Sequence, residues 1–445
     1  MNLILLSGGS GKRLWPLSNE IRSKQFIKVF RNADGEYESM VQRVYRQICT
    51  VDPGAKVTIA TSKSQVSAIH NQLGQSVNVC VEPCRRDTFP AIALACAYLH
   101  DVQGVSEDEA VVVCPVDPYV EEAYFAAVQE LSALAEGGEA NLSLLGMEPT
   151  YPSEKYGYIL PETKARISRV AAFKEKPDAQ TAARYIEQGA LWNGGVFAFR
   201  LGYLLKKTRE ILGRADYQGL FDTYDTLKKI SFDYAVAEKE TSIQVLRFHG
   251  LWMDLGTWNT LTEAMEETAV GDVRMNTTCE NVHVINELPV PVLCMGLKDM
   301  VISASAEGIL VSDKGQSSYI KPYVDEIHQQ VMFAEKSWGN FQVLDVEEDS
   351  LTIKVTLLPG NRMHYHSHER RDETWTVVSG EGFAVVDDAE IPLHPGIMLR
   401  LPAGCRHTAI ANTEMVLIEV QMGQEISVED KKKYSLAERY GAHKE

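Results

Sequence analysis

The sequence predicts an α/β protein: a mostly parallel sheet with helices on both faces, then a short β-rich segment, then a small β-barrel. Three observations carry this reading. Apolar, strand-like runs alternate with amphipathic stretches through the first part of the chain, the rhythm of a parallel sheet with helical crossovers. Around Gly271 the helical patterns give way to short apolar runs separated by turns. From Trp338 onward, short strands with Gly and Pro turns dominate, as in a small antiparallel barrel or jelly roll. The 445 residues exceed one ordinary domain, and the expected division is 1–270, 271–330 and 331–445.

The first strand organises the chain after it. Leu3-Ile4-Leu5-Leu6 runs into Ser7-Gly8-Gly9-Ser10-Gly11-Lys12-Arg13. Consecutive apolar residues bounded by turn residues leave no polar face, so the strand is expected to be buried on both sides. Gly8, Gly9 and Gly11 admit φ > 0 and let successive N–H groups converge on an anion. Lys12 and Arg13 add positive charge beside that nest. Two better-known phosphate loops do not fit: Gly-x-x-x-x-Gly-Lys-[Ser/Thr] is absent, and Gly9-x-Gly11-x-x-Leu14 lacks its third glycine. A polyphosphate suits this loop, with a plain structural turn as the alternative.

Taken in order, residues 36–51 read as a helix with Met40, Val44 and Ile48 on one stripe. Residues 56–61 read as a strand, 64–73 as a helix, 77–81 as a strand, 90–99 as an apolar helix, and 110–116 as a strand ending at Asp117. Ligands in such sheets bind beyond the carboxyl ends of strands. The glycine loop, Glu82 and Asp117 each follow a strand, so three polar sites are expected along one edge. Strands at 142–147, 168–173 and 195–199, a helix at 179–188 and a helix starting at Phe232 continue the pattern.

Asp117 and Asp254 are isolated carboxylates in apolar company. A lone strand-end Asp is commonly a turn former. Two of them near a phosphate loop match the one or two carboxylates that Mg²⁺ takes beside a nucleotide. Lys24, in Ser23-Lys24-Gln25-Phe26, reads by itself as a solvated surface charge.

Strand-like runs at 282–285, 292–295, 300–303 and 309–312 make up the middle module, expected as a partial β-helix. Barrel strands are expected at 341–345, 350–357, 375–379, 382–386, 398–401 and 416–421, and the charged tail from Glu429 as a surface helix. The barrel carries a dense constellation. On a strand, His364, His366 and His368 share one face. With Glu373 and His407 they offer imidazoles and a carboxylate, a set that suits Zn²⁺, Mn²⁺, Fe²⁺ or Ni²⁺. A satisfied polar patch is the alternative, which a single His-x-His would deserve.

The balance of 44 basic and 61 acidic residues gives a net charge of −17. That argues against a general binder of nucleic acid or anionic membranes. The eight cysteines are scattered without a Cys-x-x-Cys, the pattern of free thiols in a reducing compartment. The apolar start is too short for a signal peptide, and no apolar run approaches the ~18 residues of a membrane span. A cytoplasmic homo-oligomer free of membrane is expected.

Several motifs occur in order: Ser7 to Ser18, Lys24-Gln25-Phe26, Glu82-Pro83 with Arg86-Asp87-Thr88, and Pro90-Ala91-Ile92-Ala93-Leu94-Ala95. Tyr156-Gly157-Tyr158-Ile159, Glu175-Lys176-Pro177-Asp178, Trp192-Asn193-Gly194-Gly195-Val196-Phe197 and Asp233-Tyr234-Ala235-Val236 come after them. Together they resemble the mannose-1-phosphate guanylyltransferases over about residues 1–330. The resemblance implies a Rossmann-like nucleotidyltransferase domain that joins GTP and mannose 1-phosphate with Mg²⁺. It implies that Arg13 and Lys24 act at the reacting phosphates and that Gly8, Gly9, Gly11, Lys12, Glu82 and Arg86 hold the nucleotide. Gly157, Glu175 and Asn193 would contact the sugar, Lys176 its phosphate, and Asp117 and Asp254 the Mg²⁺. The chain departs from the family where Pro115-Val116-Asp117-Pro118 replaces Pro-Ala-Asp-His and Asp87 replaces Asn; the sugar and the nucleotide stay open.

The spacing from Gly360 through His366-x-His368, Glu373 and Gly380, with Gly396, Pro402, Gly404 and His407, resembles the cupin family. In guanylyltransferases such a domain is often a type II phosphomannose isomerase. Trp375-Thr376-Val377-Val378-Ser379-Gly380 and Ile418-Glu419-Val420-Gln421 look like it, whereas His366 stands where that isomerase has Gln. Metal binding by His366, His368, Glu373 and His407 is therefore expected. The isomerase activity stands beside the alternatives of an oligomerisation or sugar-sensing cupin, or a wholly non-catalytic binding protein.

Overall fold

The computed structural model describes residues 1–8, 12–19, 21–427 and 430–436. Strand β1 (Asn2–Ser7) lies inside a nine-stranded sheet, with Leu3, Ile4 and Leu5 fully buried. A hairpin of β2 (Lys28–Arg31) and β3 (Tyr37–Ser39) leads into α1 (Met40–Val51). The helix expected from residue 36 therefore starts later. Pairing with β2 holds Tyr37 to Ser39 extended, and Ser39 then caps the helix in a reciprocal capping box with Gln42.

Next come β4 (Lys56–Ser62), α2 (Val66–Leu73), β5 (Asn78–Glu82), α3 (Thr88–Asp101) and β6 (Ala110–Pro115). Strands β5, β4, β1 and β6 lie side by side and parallel. After β7 (Pro118–Val120) and α4 (Glu122–Gly137) come β8 (Leu142–Met147), β9 (Gly157–Pro161) and β10 (Ile167–Lys174). Then follow α5 (Ala179–Glu187), β11 (Leu191–Arg200), α6 (Leu201–Leu212), β12 (Ile243–Phe248) and β13 (Trp252–Asp254).

This second half corrects the expectation of a mostly parallel sheet. Only β8 and β12 pair parallel there; β11 is antiparallel to β6 and β8, and β10 to β9 and β12. The short turn between β9 and β10 permits only an antiparallel pair, because a parallel one needs a long crossover. Helices cover both faces. Val44 and Ile48 of α1 pack with Phe125 and Val128 of α4 on one side, and Phe89 and Ile92 of α3 with Leu201 and Leu204 of α6 on the other. Each such side chain contributes roughly 1.5–3 kcal/mol by leaving water.

In the middle module, β14 (Ala269–Val270), β16 (His283–Asn286) and β18 (Met300–Ser305) stack parallel, as β15 (Val273–Met275) does on β17 (Val292–Cys294). The chain thus coils as in a β-helix until β19 (Gly308–Asp313) turns back antiparallel on β18. Val270, Ile285 and Val301 join one core of the first domain, so the module is packed against it.

The last domain opens with β20 (Phe333–Lys336), β21 (Gly339–Val346), β22 (Ser350–Leu357), β23 (His366–Ser367), β24 (Asp372–Ser379) and β25 (Gly382–Val386). It closes with β26 (Ala389–Leu393), β27 (Met398–Leu401), β28 (His407–Ala411), β29 (Met415–Met422) and β30 (Lys432–Lys433). Sheets of order β20-β21-β22-β29-β24-β27 and β26-β25-β28-β23-β30 enclose a core that contains Trp375, Leu357 and Leu417. The tail departs from the expected helix where it is described: Lys432 and Lys433 add a strand to the edge of β23. Glu429 and residues 437–445 lie outside the described residues. All eight cysteines are free thiols. Among the described residues, no helix is long and apolar enough to cross a membrane.

Candidate functional site

Asp117 follows β6 at the carboxyl edge of the sheet. Asp254 ends β13, which pairs antiparallel with β7 and sets Asp254 opposite Pro118. This two-stranded ribbon brings together two carboxylates that are far apart in sequence. Lys24, in the short helical turn Lys24–Phe26, places its Nζ 2.7 Å from Asp117 Oδ2 and 3.6 Å from Asp254 Oδ1. Burial opposes the Lys24 charge, but Asp117 and then Asp254 outweigh it and raise its pKa. Both acids therefore aim at one point, and their oxygen donors are those that Mg²⁺ prefers.

The acids open onto a cavity of about 240 Å³ that Thr88, Asn193, Asp233 and Tyr156 also line. Asn193 is fixed at both ends: its Nδ2 donates to Asp233 Oδ1 at 2.7 Å, and its Oδ1 accepts from Gly195 N–H at 3.0 Å. Gly195 has φ +73°, and between Asn193 and Phe197 the β8–β11 register shifts. Asp233 opens a π-helical turn, Asp233–Ala237, an element frequent at functional sites. Burial, with the Glu175 charge beside it, pushes the Asp233 carboxyl up to about 6.

Glu175 and Lys176 lie just past β10, joined at 2.6 Å. Glu175 Oε2 is buried without a hydrogen-bond partner. It occupies the space beside Gly157, where a Cβ would come within 2.4 Å of it. Lys176 has φ 47°, a left-handed conformation that costs a non-glycine residue roughly 1 kcal/mol or more. An orphaned carboxylate oxygen and a strained lysine, both beside a residue without a side chain, form a polar cradle.

At the other end of the edge, Tyr224 Oη donates to Glu82 Oε2 at 2.7 Å, and Arg86 Nε donates to the Tyr224 carbonyl at 3.2 Å. Burial raises the Glu82 pKa against that hydrogen bond. Asp87, expected as a new charge near the base, has a structural role. At φ 72° its carboxylate accepts from Thr88 N–H at 2.7 Å and caps α3.

Gly9 and Gly11 lie outside the described residues. Gly8 is described; its φ is not left-handed, contrary to the nest expectation at that one position. Lys12 Nζ pairs with Asp325 Oδ1 at 2.9 Å, and Arg13 is exposed. Sequence reasoning gave no role to Asp233 or Tyr224. Asp233 stood inside a motif of the resemblance, whereas nothing around Tyr224 marked it.

In the barrel, ligand atoms of His366, His368 and His407 all lie within 4.8 Å of one another, and all three residues are buried. The Nδ1 of each meets a backbone carbonyl: His366 that of His364 at 2.7 Å, His407 that of Cys405 at 3.0 Å, and His368 that of Asp430. Nδ1 is then the donor, and the three Nε2 lone pairs face inward, the arrangement a metal ion requires. Glu373 places Oε1 3.0 Å from His368 Nε2 and Oε2 3.2 Å from His407 Nε2. His407 Nε2 still has no hydrogen bond, an orphaned buried atom. The cluster can hold a divalent ion. Arg371 was missed; its Nη2 lies 3.0 Å from His368 Nε2 and its Nε 3.2 Å from Glu373 Oε1.

A phosphate-facing edge with a lysine between two acids, joined to a barrel with a histidine cluster, defines a nucleotidyltransferase carrying a cupin. The comparisons agree with that class. Residues 2–270 match the nucleotidyl transferase family and residues 353–421 the cupin domain. The mannose-1-phosphate guanylyltransferase of Escherichia coli K12 is 30% identical over 98% of both chains. The xanthan biosynthesis protein XanB of Xanthomonas campestris is 30% identical over 96% of both. A solved structure from Thermus thermophilus, described as a mannose-1-phosphate geranyltransferase, is 28% identical with a TM-score of 0.63 and covers 73% of this chain and 98% of its own. The chain belongs to the nucleotidyl transferase family and, along nearly its whole length, to the branch that holds the cupin-bearing mannose-1-phosphate guanylyltransferases.

Proposed function

We propose that the first domain transfers GMP from GTP to mannose 1-phosphate, giving GDP-mannose and pyrophosphate. The observation that carries this reading is the convergence of Lys24, Asp117 and Asp254 on one point at the sheet edge. A phosphate oxygen of the sugar phosphate attacks the α-phosphorus in line; the new P–O bond forms as the bond to the β-phosphate oxygen breaks, and pyrophosphate leaves. Such a transfer needs positioning and charge neutralisation rather than a covalent nucleophile.

Lys24 neutralises the phosphate oxygens at the reacting centre, and Arg13 the leaving pyrophosphate. Asp117 and Asp254 hold Mg²⁺, which supplies Lewis-acid neutralisation of phosphate charge when bound. Gly8, Gly9, Gly11 and Lys12 hold the polyphosphate. Glu82, fixed by Tyr224, accepts from the N–H edge of guanine with Arg86 beside it. The Gly157–Glu175 cradle and Asn193 orient the sugar hydroxyls, and Lys176 holds the sugar phosphate. A panel of hexose 1-phosphates against the four NTPs, read by pyrophosphate release, tests this. Turnover concentrated on GTP with mannose 1-phosphate is expected, and preference for another pair would displace the reading.

For the cupin, three inward-facing Nε2 atoms support a divalent ion, Zn²⁺, Mn²⁺, Fe²⁺ or Ni²⁺, with Glu373 as the adjoining carboxylate. The reading proposed is an isomerase that interconverts fructose 6-phosphate and mannose 6-phosphate. One observation favours a second reading, a non-catalytic cupin: Arg371 Nη2 competes for the His368 lone pair at 3.0 Å. Assay of the interconversion with each metal added separates the two.

A further inference from the structure

Beside the histidine cluster, lysines from both sheets gather at one open edge of the barrel. Strand β30 pairs with β23 so that Lys433 lies opposite His366 and Lys432 opposite Ser367. Alternation then sets Lys431 and Lys433 on the face that carries His366, with Lys432 on the other. Lys433 Nζ lies 3.3 Å from His364 Nε2. Strand β20, which carries Lys336, is the edge of one sheet, and β30 is the edge of the other. The two edges meet closely enough for Lys433 and Lys336 to repel: burial first, then Lys433, lowers the Lys336 pKa. Lys431 is lowered by burial against the pull of Glu419 and Glu373, and Arg371 and Lys336 add to the lowering.

Among the described residues, no carboxylate forms an ion pair with Lys336 or Lys431. In a chain with 61 acidic and 44 basic residues, a group of lysines so short of paired acids is not what a mixed surface yields. Gathered like charges cost free energy until an anion joins them. The cations reach toward the same interior that holds His366, His368 and His407.

We propose that Lys336, Lys431 and Lys433 form a phosphate subsite for a phosphorylated hexose whose carbons reach the histidine cluster. The choice of a sugar rests on the isomerase reading; the choice of a phosphomonoester rests on the lysines alone.

Calorimetric titration of the full chain with mannose 6-phosphate and with mannose tests it, on wild type, Lys336→Met, Lys431→Met and Lys431→Arg. Mannose 6-phosphate is expected to bind at least about tenfold tighter than mannose, the scale of one or more charge-assisted contacts. Each Met variant should lose about tenfold in that affinity, while Lys431→Arg keeps most of it and all melt as wild type does. Equal affinity for the two sugars, or Met variants within about twofold of wild type, would overturn the subsite. Phosphate-dependent binding without fructose–mannose interconversion would uphold the subsite and sink the isomerase reading instead.

Discussion

Gly157 offers a bare Cα to Glu175: a Cβ there would lie 2.4 Å from Glu175 Oε2 and 3.2 Å from Phe173 Cζ. Gly157→Ala must therefore displace the carboxylate, which is the movable partner. A small stability loss of about 1 kcal/mol is expected. The larger effect falls on the sugar: KM for the hexose 1-phosphate should rise about tenfold or more while KM for the nucleotide holds. Steady-state kinetics on both substrates read this directly.

Lys24 is held by Asp117 at 2.7 Å and by Asp254 at 3.6 Å. Lys24→Met should lower kcat by about 10²–10³, as loss of a charge-stabilising donor does. The same change leaves two carboxylates facing each other without their cation, so Mn²⁺ should bind the nucleotide-free variant more tightly than wild type. Electron paramagnetic resonance titration with Mn²⁺ measures that, and weaker binding would refute the shared focus of the two acids.

The Asp233 carboxyl, pushed from its ordinary 3.8 to about 6 by burial and Glu175, predicts a pH effect. Between those values the folded state keeps a proton that the unfolded chain has released. Stability therefore falls as pH rises through this window, by about 2–3 kcal/mol in all. In Asp233→Asn that fall should vanish from the difference between the two unfolding curves measured from pH 4 to 7. Parallel curves would place the titration elsewhere.

Arg22 donates to both Glu287 oxygens at 2.8 Å and lies 5.2 Å from the Phe333 ring centroid, tying the first domain to the middle module and to β20. Arg22→Met leaves Glu287 without its partner. About 2–3 kcal/mol of stability should be lost, less than for a fully buried pair because Glu287 is 31% exposed. Denaturant unfolding checks the value, and an unchanged midpoint would show the clamp to be idle.

His366→Ala and His407→Ala should each abolish tight binding of one divalent ion per chain, measured by elemental analysis after dialysis, while pyrophosphate release stays at wild-type level. A loss of transferase turnover with a normal melting curve would mean that the two sites are coupled.

Much of this was legible in the residues. The apolar run of β1 and the alternation after it identified the parallel strands, because burial on both faces leaves a continuous hydrophobic signature. His366, His368 and His407 could be read because ligand chemistry is rare and spacing on strands is regular. Strand direction beyond β6 could not be read, since β11 enters the sheet antiparallel through contacts with β6 and β8 that no local pattern encodes. The pairing of Asp117 with Asp254 likewise depends on the β7–β13 ribbon, a long-range register. Tyr224 and Arg371 escaped notice because each acts by supporting a neighbour, Glu82 or Glu373, and support of that kind leaves no trace in sequence.

The most direct test is pyrophosphate release at saturating GTP, mannose 1-phosphate and Mg²⁺ by Asp254→Asn, a change that keeps the side chain's shape and removes its charge. The expected result is a kcat lower by at least about 10²-fold with an unaltered melting temperature. Turnover within about twofold of wild type would contradict the assignment of the reaction to this edge of the sheet.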